Sequence, residues 1–235
     1  MVKYIFALLL CTQISFSQNT DHLNTVLKQL KIKKSEINVE LFTQKVLPND
    51  KAKSVLVIPK YASEVTPDYF VIDAYILVID NTTGKIINKF IEPSAWTSDA
   101  IMLNNISIDT GLYRLNETTR AFGVRTSFSN NSRLNPYSEM NLSLYITTNN
   151  SLKQVLKNYT LQQSGGEWDS DCAGEFDSST SSIDIDKLQN KNFNNLIVKT
   201  KVVKTKNMFK NEDCIAKETT KKLISKLIYN GKEYK

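Results

Sequence analysis

The run YFVIDAYILVID at residues 69–80, the link NTTG and the run KIINKFI at residues 85–91 constrain the fold most strongly. β-Branched and aromatic residues fill both arms, and a short polar link ending in Gly84 joins them, which is the pattern of a β-hairpin. Comparable units recur along the chain. Residues 142–147 (LSLYIT), a turn at 148–151 and residues 152–156 form a second hairpin, which residues 158–163 extend. Further strands are expected at 37–41, 54–59, 101–109, 112–115, 121–128, 179–185 and 196–203, with a looser segment at 93–99 and a turn at Asp109-Thr110-Gly111. Asn130-Asn131 and Asn149-Asn150 supply turns in a glycine-poor chain, because Asn tolerates the left-handed region.

Two places compete with this pattern. Leu23, Val26, Leu27 and Leu30 fall at helical spacing, with Asn19, Thr20 or Asp21 as the N-cap, so residues 21–30 read as a short helix. Residues 216–229 also show helical spacing, but Asn230-Gly231 is the strongest short hairpin signal, so they are read as a strand. Short strands with turn signals every ten residues or so imply an all-β fold, an antiparallel sandwich or propeller-like sheets with a short N-terminal helix. No strict period accompanies the similar hairpins, so a regular propeller is not supported.

The N-terminus sets the compartment. Lys3 precedes a short apolar run, and Ser15 and Ser17 then make a small-x-small site before Gln18, the pattern of a secretory signal peptide cut after Ser17. The run is too short to span a bilayer core of about 30 Å. A lipoprotein anchored through Cys11 is the rival, weakened by Leu10 where a small residue is wanted. The division is residues 1–17 as signal peptide, 18–50 as helix and lead-in, and 51–235 as a single all-β domain. The expected location is periplasmic or secreted, with no transmembrane segment after cleavage.

Removal of Cys11 leaves Cys172 and Cys214. In an oxidising compartment two cysteines most simply form one disulfide, the alternative being two free buried thiols. The net charge is +6, and the excess lysine lies late, in KTKVVKTKNMFK and KETTKKLISK. An exported protein meets little nucleic acid, and only Phe209 is interleaved for base stacking, so nucleic acid is not expected as a partner. The lysines read as a solvated strand face, with anionic lipid headgroups or a cell-wall polymer as the other reading.

From about residue 73 onward the chain resembles a family of uncharacterised exported proteins of Gram-negative bacteria. The resemblance is carried by SDAIMLNNISIDTGLYRL (98–115), AFGVRTSFSNNSRLNPYSEMNLSLY (121–145) and SGGEWDSDCAGEF (164–176), with Asp213-Cys214 and LIYNGKEY (227–234). It implies export and supports the Cys172–Cys214 pairing. It implies no activity, ligand or catalytic residue.

The stretch from 121 to 177 holds the candidate site. Glu167, Asp169, Asp171, Glu175 and Asp177 lie around Trp168. Asp169-x-Asp171 begins like a calcium loop, but Ala173 and Thr180 stand where ligands are needed, so no metal is expected. Two carboxylates beside an aromatic can act as acid and base on a sugar, which keeps a carbohydrate-active or calcium-dependent enzyme built on residues 167–177, read as an irregular acidic loop, as the alternative. Arg125, Arg133, Asn135 and Tyr137 form a second group: Arg can grip a carboxylate or phosphate, or pair with the acids and lock the loop. Trp96 and Trp168 read as core or loop anchors, and Phe122 and Phe128 as core.

The single histidine, His22, has no serine partner nearby in sequence, and zinc, thiol and nucleotide chemistries lack their usual ligands or motifs. The expectation is an exported envelope protein with a binding or structural role, no cofactor and no catalytic residue. Its ligand residues are Arg125, Arg133, Tyr137, Glu167, Trp168, Asp169, Asp171 and Glu175. Its partner is a cell-wall polymer or an envelope protein.

Overall fold

A computed structural model describes residues 15–62, 65–66 and 68–235, with the backbone alone at 15–21. Residues 1–14, and with them Cys11 and most of the expected signal peptide, lie outside the described residues. Helix α1 (Ser15–Leu30) precedes eleven strands. β1 (Thr43–Leu47), β2 (Asp50–Tyr61), β3 (Phe70–Asp80) and β4 (Ile86–Ser98) form one sheet in chain order. β5 (Met102–Arg114), β6 (Arg120–Ser129), β7 (Tyr137–Thr147), β8 (Leu152–Trp168), β9 (Gly174–Asn190), β10 (Phe193–Lys210) and β11 (Asp213–Leu227) form the other. Within each sheet every strand pairs antiparallel with its neighbour in sequence, and the chain crosses from one sheet to the other between β4 and β5, so the molecule is an all-β sandwich of two meanders with one short helix.

The unbroken apolar runs in β2 and β3 follow from burial on both faces. Val55, Val57, Ile76 and Val78 face the second sheet and meet Ile106, Ile108, Phe122, Val124 and Tyr145. Leu56, Ile58, Leu77 and Ile79 point the other way and bury Leu23, Val26 and Leu27 of α1. Each of these side chains contributes about 2 kcal/mol through burial. Trp96 and Phe122 belong to the core, with Phe128 half-buried against it.

The second sheet curls. Asn194 at the start of β10 donates its N–H to Leu115 O beyond β5, 2.6 Å away, although five strand positions separate the two strands. The curl encloses Leu142, Leu144, Leu161 and Leu196, and the C-terminal hairpin caps it. Tyr229 and Tyr234 pair across Asn230-Gly231, and Tyr234 reaches Asn194 O with its hydroxyl at 2.7 Å.

β8 to β11 run on past this core. From Lys199 to Lys210 no residue of β10 is buried, and β11 is exposed along nearly its whole length. This extension is held by backbone pairing and by surface ion pairs such as Lys199–Asp184 and Lys204–Asp177. The late lysines lie on it, in water.

Four local expectations are corrected. Residues 37–41 are not a strand: Asn38 Oδ1 accepts the N–H groups of Glu40 and Leu41 and turns the chain, leaving only an Ile37–Lys60 bridge. The loose segment at 93–99 is mostly strand. A bulge around Pro93 and Ser94, with Ser94 at φ 48° and bonded to Asp73 Oδ1, absorbs the proline. Asp109-Thr110-Gly111 is likewise a bulge inside one long strand, β5, and not a turn between two. The acidic stretch at 167–177 is a hairpin: Glu167, Glu175 and Asp177 sit on strands, and only residues 169–173 form its turn.

Candidate functional site

The hairpin turn is built by Asp169. Its N–H bonds Ala173 O at 3.0 Å, its Oδ1 accepts Asp171 N–H at 2.9 Å, and Ser170 adopts φ 71°. Asp171 is exposed there. Cys172, buried beside it, is disulfide-bonded to Cys214 at the start of β11, with Cα atoms 5.7 Å apart. The bridge fastens the β8–β9 turn across β10 to the edge strand.

The loop at 130–136 joins the same assembly through backbone. Trp168 N–H donates to Leu134 O at 2.8 Å and Gly166 N–H to Pro136 O at 3.2 Å. The expected lock between this loop and the acidic stretch therefore exists, but the arginines do not make it. Arg125 bonds Asp109 Oδ2 through Nε at 2.9 Å, on β5. Arg133 is exposed and in no ion pair among the described residues. The acids meet lysines of β10 instead: Glu175 pairs with Lys206 and Asp177 with Lys204. Arg125 lies in register with Leu142, while the acid of that strand, Glu139, stands opposite Phe128 and bonds Tyr137.

An open trough of about 1030 Å³ runs over this extension. Along β9 and β10 the side that carries Ile183, Ile185, Leu196 and Val198 at the core end carries Ser179, Asp177, Val202 and Lys204 further out, because both strands keep strict alternation and register. Tyr137, Glu167, Trp168, Asp169 and Glu175 line the trough, whereas Arg125, Arg133 and Asp171 do not. Tyr137 donates its hydroxyl to Glu139 at 2.9 Å, and partial burial and this carboxylate both push its pKa up. Glu167 and Glu175 stand directly opposite each other on adjacent strands, an unfavourable like-charge pair that Lys206 offsets. Gln163, Ser179, Val202 and Lys204 also line the trough and carry no motif. The only signal that could have found them was strand alternation carried through from the acidic turn.

The opposite face explains two glycines. Phe176 stands opposite Gly166 in register, and its ring covers both Gly166 and Gly174. A Cβ at Gly166 would collide with that ring and come within 2.6 Å of Glu175 O. Gly166→Ala is therefore expected to lower stability by about 1–3 kcal/mol, read as the urea midpoint. Gly165→Ala, whose Cβ would meet nothing closer than 3.6 Å, is expected to leave the midpoint within experimental error. Equal loss in both variants would refute this packing.

Among the described residues no group of three or more His, Cys, Asp or Glu converges to hold a metal ion, and no helix is long and apolar enough to cross a membrane. No protein-family model matches the chain, and searches of curated proteins and of solved structures returned no significant match.

Proposed function

We propose that this chain is an exported envelope protein that binds an extended glycan of the cell wall along the trough, without turning it over. The trough is the observation that carries this reading. It is large and open to solvent, so a chain can lie in it and run past either end, and its lining mixes the two chemistries a sugar chain presents. Trp168 and Tyr137 are among its lining residues and carry rings of the kind that stack on the apolar faces of sugars. Gln163, Ser179, Glu167 and Asp177 offer hydrogen-bond partners for hydroxyl groups. The disulfide at one end supports rigidity, which lowers the ordering cost of binding. The N-terminal pattern and the Cys172–Cys214 bridge support export.

The test is titration of the mature protein with soluble wall-glycan fragments, followed by calorimetry and by tryptophan fluorescence. Trp96 is buried in the core, so a ligand-induced change should come from Trp168 and vanish in Trp168→Ala, with affinity lowered about tenfold or more. Absence of heat and of a fluorescence change across wall-glycan fragments and neutral polysaccharides would overturn the proposal. Release of new reducing ends, lost in Glu167→Gln or Glu175→Gln, would replace it with the hydrolase reading, in which these two facing carboxylates do the chemistry.

A further inference from the structure

A second cavity of about 310 Å³ opens at one end of the sandwich, between the two sheets and away from the trough. The β1–β2 turn, the β7–β8 turn and the β5 bulge surround it, an arrangement in which loops from both sheets meet over the edge of the core. Its floor is apolar, with Leu47, Val78 and Phe122. Its wall is polar and includes Arg120, Asn88 and Thr147. The volume is near the lower end for a small-molecule site, roughly 300 Å³.

Arg120 decides what the cavity fits. Its Nη2 donates to Thr110 O at 2.7 Å and to Gly111 O at 3.2 Å, which fixes the guanidinium against the β5 bulge. Its Nε and Nη1 donate to nothing among the described residues, and no carboxylate pairs with it there. Nε and Nη1 point to different edges of the guanidinium, so each is left to give one charge-assisted hydrogen bond to an anionic oxygen in the cavity. Arg114 stands directly opposite Arg120 in the β5–β6 register and is also in no ion pair among the described residues. Two facing cations on neighbouring strands are unfavourable unless an anion lies near them. The nearby Lys53 is neutralised by Asp50 at 2.7 Å, so the uncompensated positive charge is that of the arginines. Asn88 is almost fully buried and spends its amide on Thr148 O and Ser151 O, which holds the β7–β8 turn at the rim.

We propose that this cavity is a binding site for a small organic carboxylate with a short apolar chain, its head on Arg120 and its tail over Val78 and Phe122. The proposal is independent of the glycan reading, because the two cavities share no lining residue.

The experiment is a nuclear magnetic resonance titration of isotope-labelled wild-type protein with hexanoate, with 1-hexanol and with inorganic phosphate. Hexanoate is expected to give saturable shifts at the amides of Thr110, Arg120 and residues 147–149, while hexanol and phosphate bind at least about tenfold more weakly, since each lacks one of the two recognised parts. Arg120→Gln should weaken hexanoate at least about tenfold. Arg114→Gln, a change at an exposed position that should leave the fold intact, should weaken it less, and Trp168→Ala should leave it unchanged. The wild-type shifts stand as a readout even if Arg120→Gln fails to fold. Absence of saturable shifts at these amides, equal binding of hexanol, equal binding of phosphate, or full retention of hexanoate affinity in a folded Arg120→Gln protein would each overturn the proposal.

Discussion

Replacement of Asp109 by Ala is expected to destabilise the protein by about 3 kcal/mol. The Asp109 side chain is only 14% exposed. It accepts the Gly111 N–H at 2.8 Å, the Tyr113 hydroxyl at 2.7 Å and Arg125 Nε at 2.9 Å. Removing it strands a guanidinium and a phenol that burial has stripped of water, and frees the bulge that Gly111 helps to close. The loss falls at the low end for a buried pair because a third of the Arg125 side chain still reaches solvent. Asp109→Ala combined with Arg125→Ala should cost less than the sum of the single changes, since the second removes the charge that the first orphans.

Acid should reproduce part of this loss. Burial works to raise the Asp109 pKa, but hydrogen bonds from Tyr113 and Gly111 and the Arg125 charge override it and hold the carboxyl below its usual range. A group depressed in the folded state contributes stability that is present above its unfolded pKa of about 3.9 and is lost as pH falls through the folded value. Urea midpoints of the wild type should therefore decline below about pH 4 more steeply than those of Asp109→Asn. Tyr113 acts in the opposite direction. Burial and the facing carboxylate push it up to about 12, so its contribution is present below pH 10 and is lost as pH rises through that value. Parallel acid limbs in wild type and Asp109→Asn would show that this cluster does not carry the titration.

Asp109 also marks the limit of what the chain discloses before folding. The sheets were legible because apolar β-branched runs such as 54–59 and 69–80 have few other uses, and Asn230-Gly231 rightly favoured strand over a competing helical spacing, although that strand, β11, pairs with β10 and the turn itself is closed by a single Tyr229–Tyr234 bridge. Bulges were not legible. Asp109-Thr110-Gly111 has the composition of a turn, and only pairing with β6 shows that Asp109 and Tyr113 oppose Gly123 and Ala121 on one continuous strand. The same blindness misassigned Arg125. The cluster of acids at 167–177 drew it by composition, but β6 pairs with β5 and β7, so the carboxylate it meets is the one that β5 carries. At the trough, Glu167, Trp168, Asp169 and Glu175 were found through composition, and Tyr137 through its loop. Lys204 and Val202 come from a strand expected to end at 203, which in fact runs to Lys210 because hydrogen bonds to β9 and β11 support polar residues that no core covers.

Loss of the disulfide should cost up to about 4 kcal/mol, and the cost should be concentrated at one end of the molecule. The bridge joins residues 42 apart, and closing a loop of that length in the unfolded chain is what the entropy model credits with this figure. In the folded protein the bridge lies where little else holds. β11 pairs only with β10, is exposed almost throughout, and makes no core contact before Leu227. Cys172→Ser with Cys214→Ser should therefore speed hydrogen exchange at the β10–β11 turn and at residues 169–173. Protection at Val55 to Ile58 and Ile76 to Ile79, which lie in the doubly covered sheet, should fall only with global stability. Mass measured before and after reduction should differ by two hydrogens in exported protein. Two free thiols in that material would remove the bridge from the account, and uniform loss of protection across both sheets would show that the extension and the core unfold as one unit. If the extension does loosen alone, affinity for wall glycan should fall with it while hexanoate binding at the far cavity stays, because Trp168 and Asp169 are positioned by the turn that the bridge fastens and Arg120 is not.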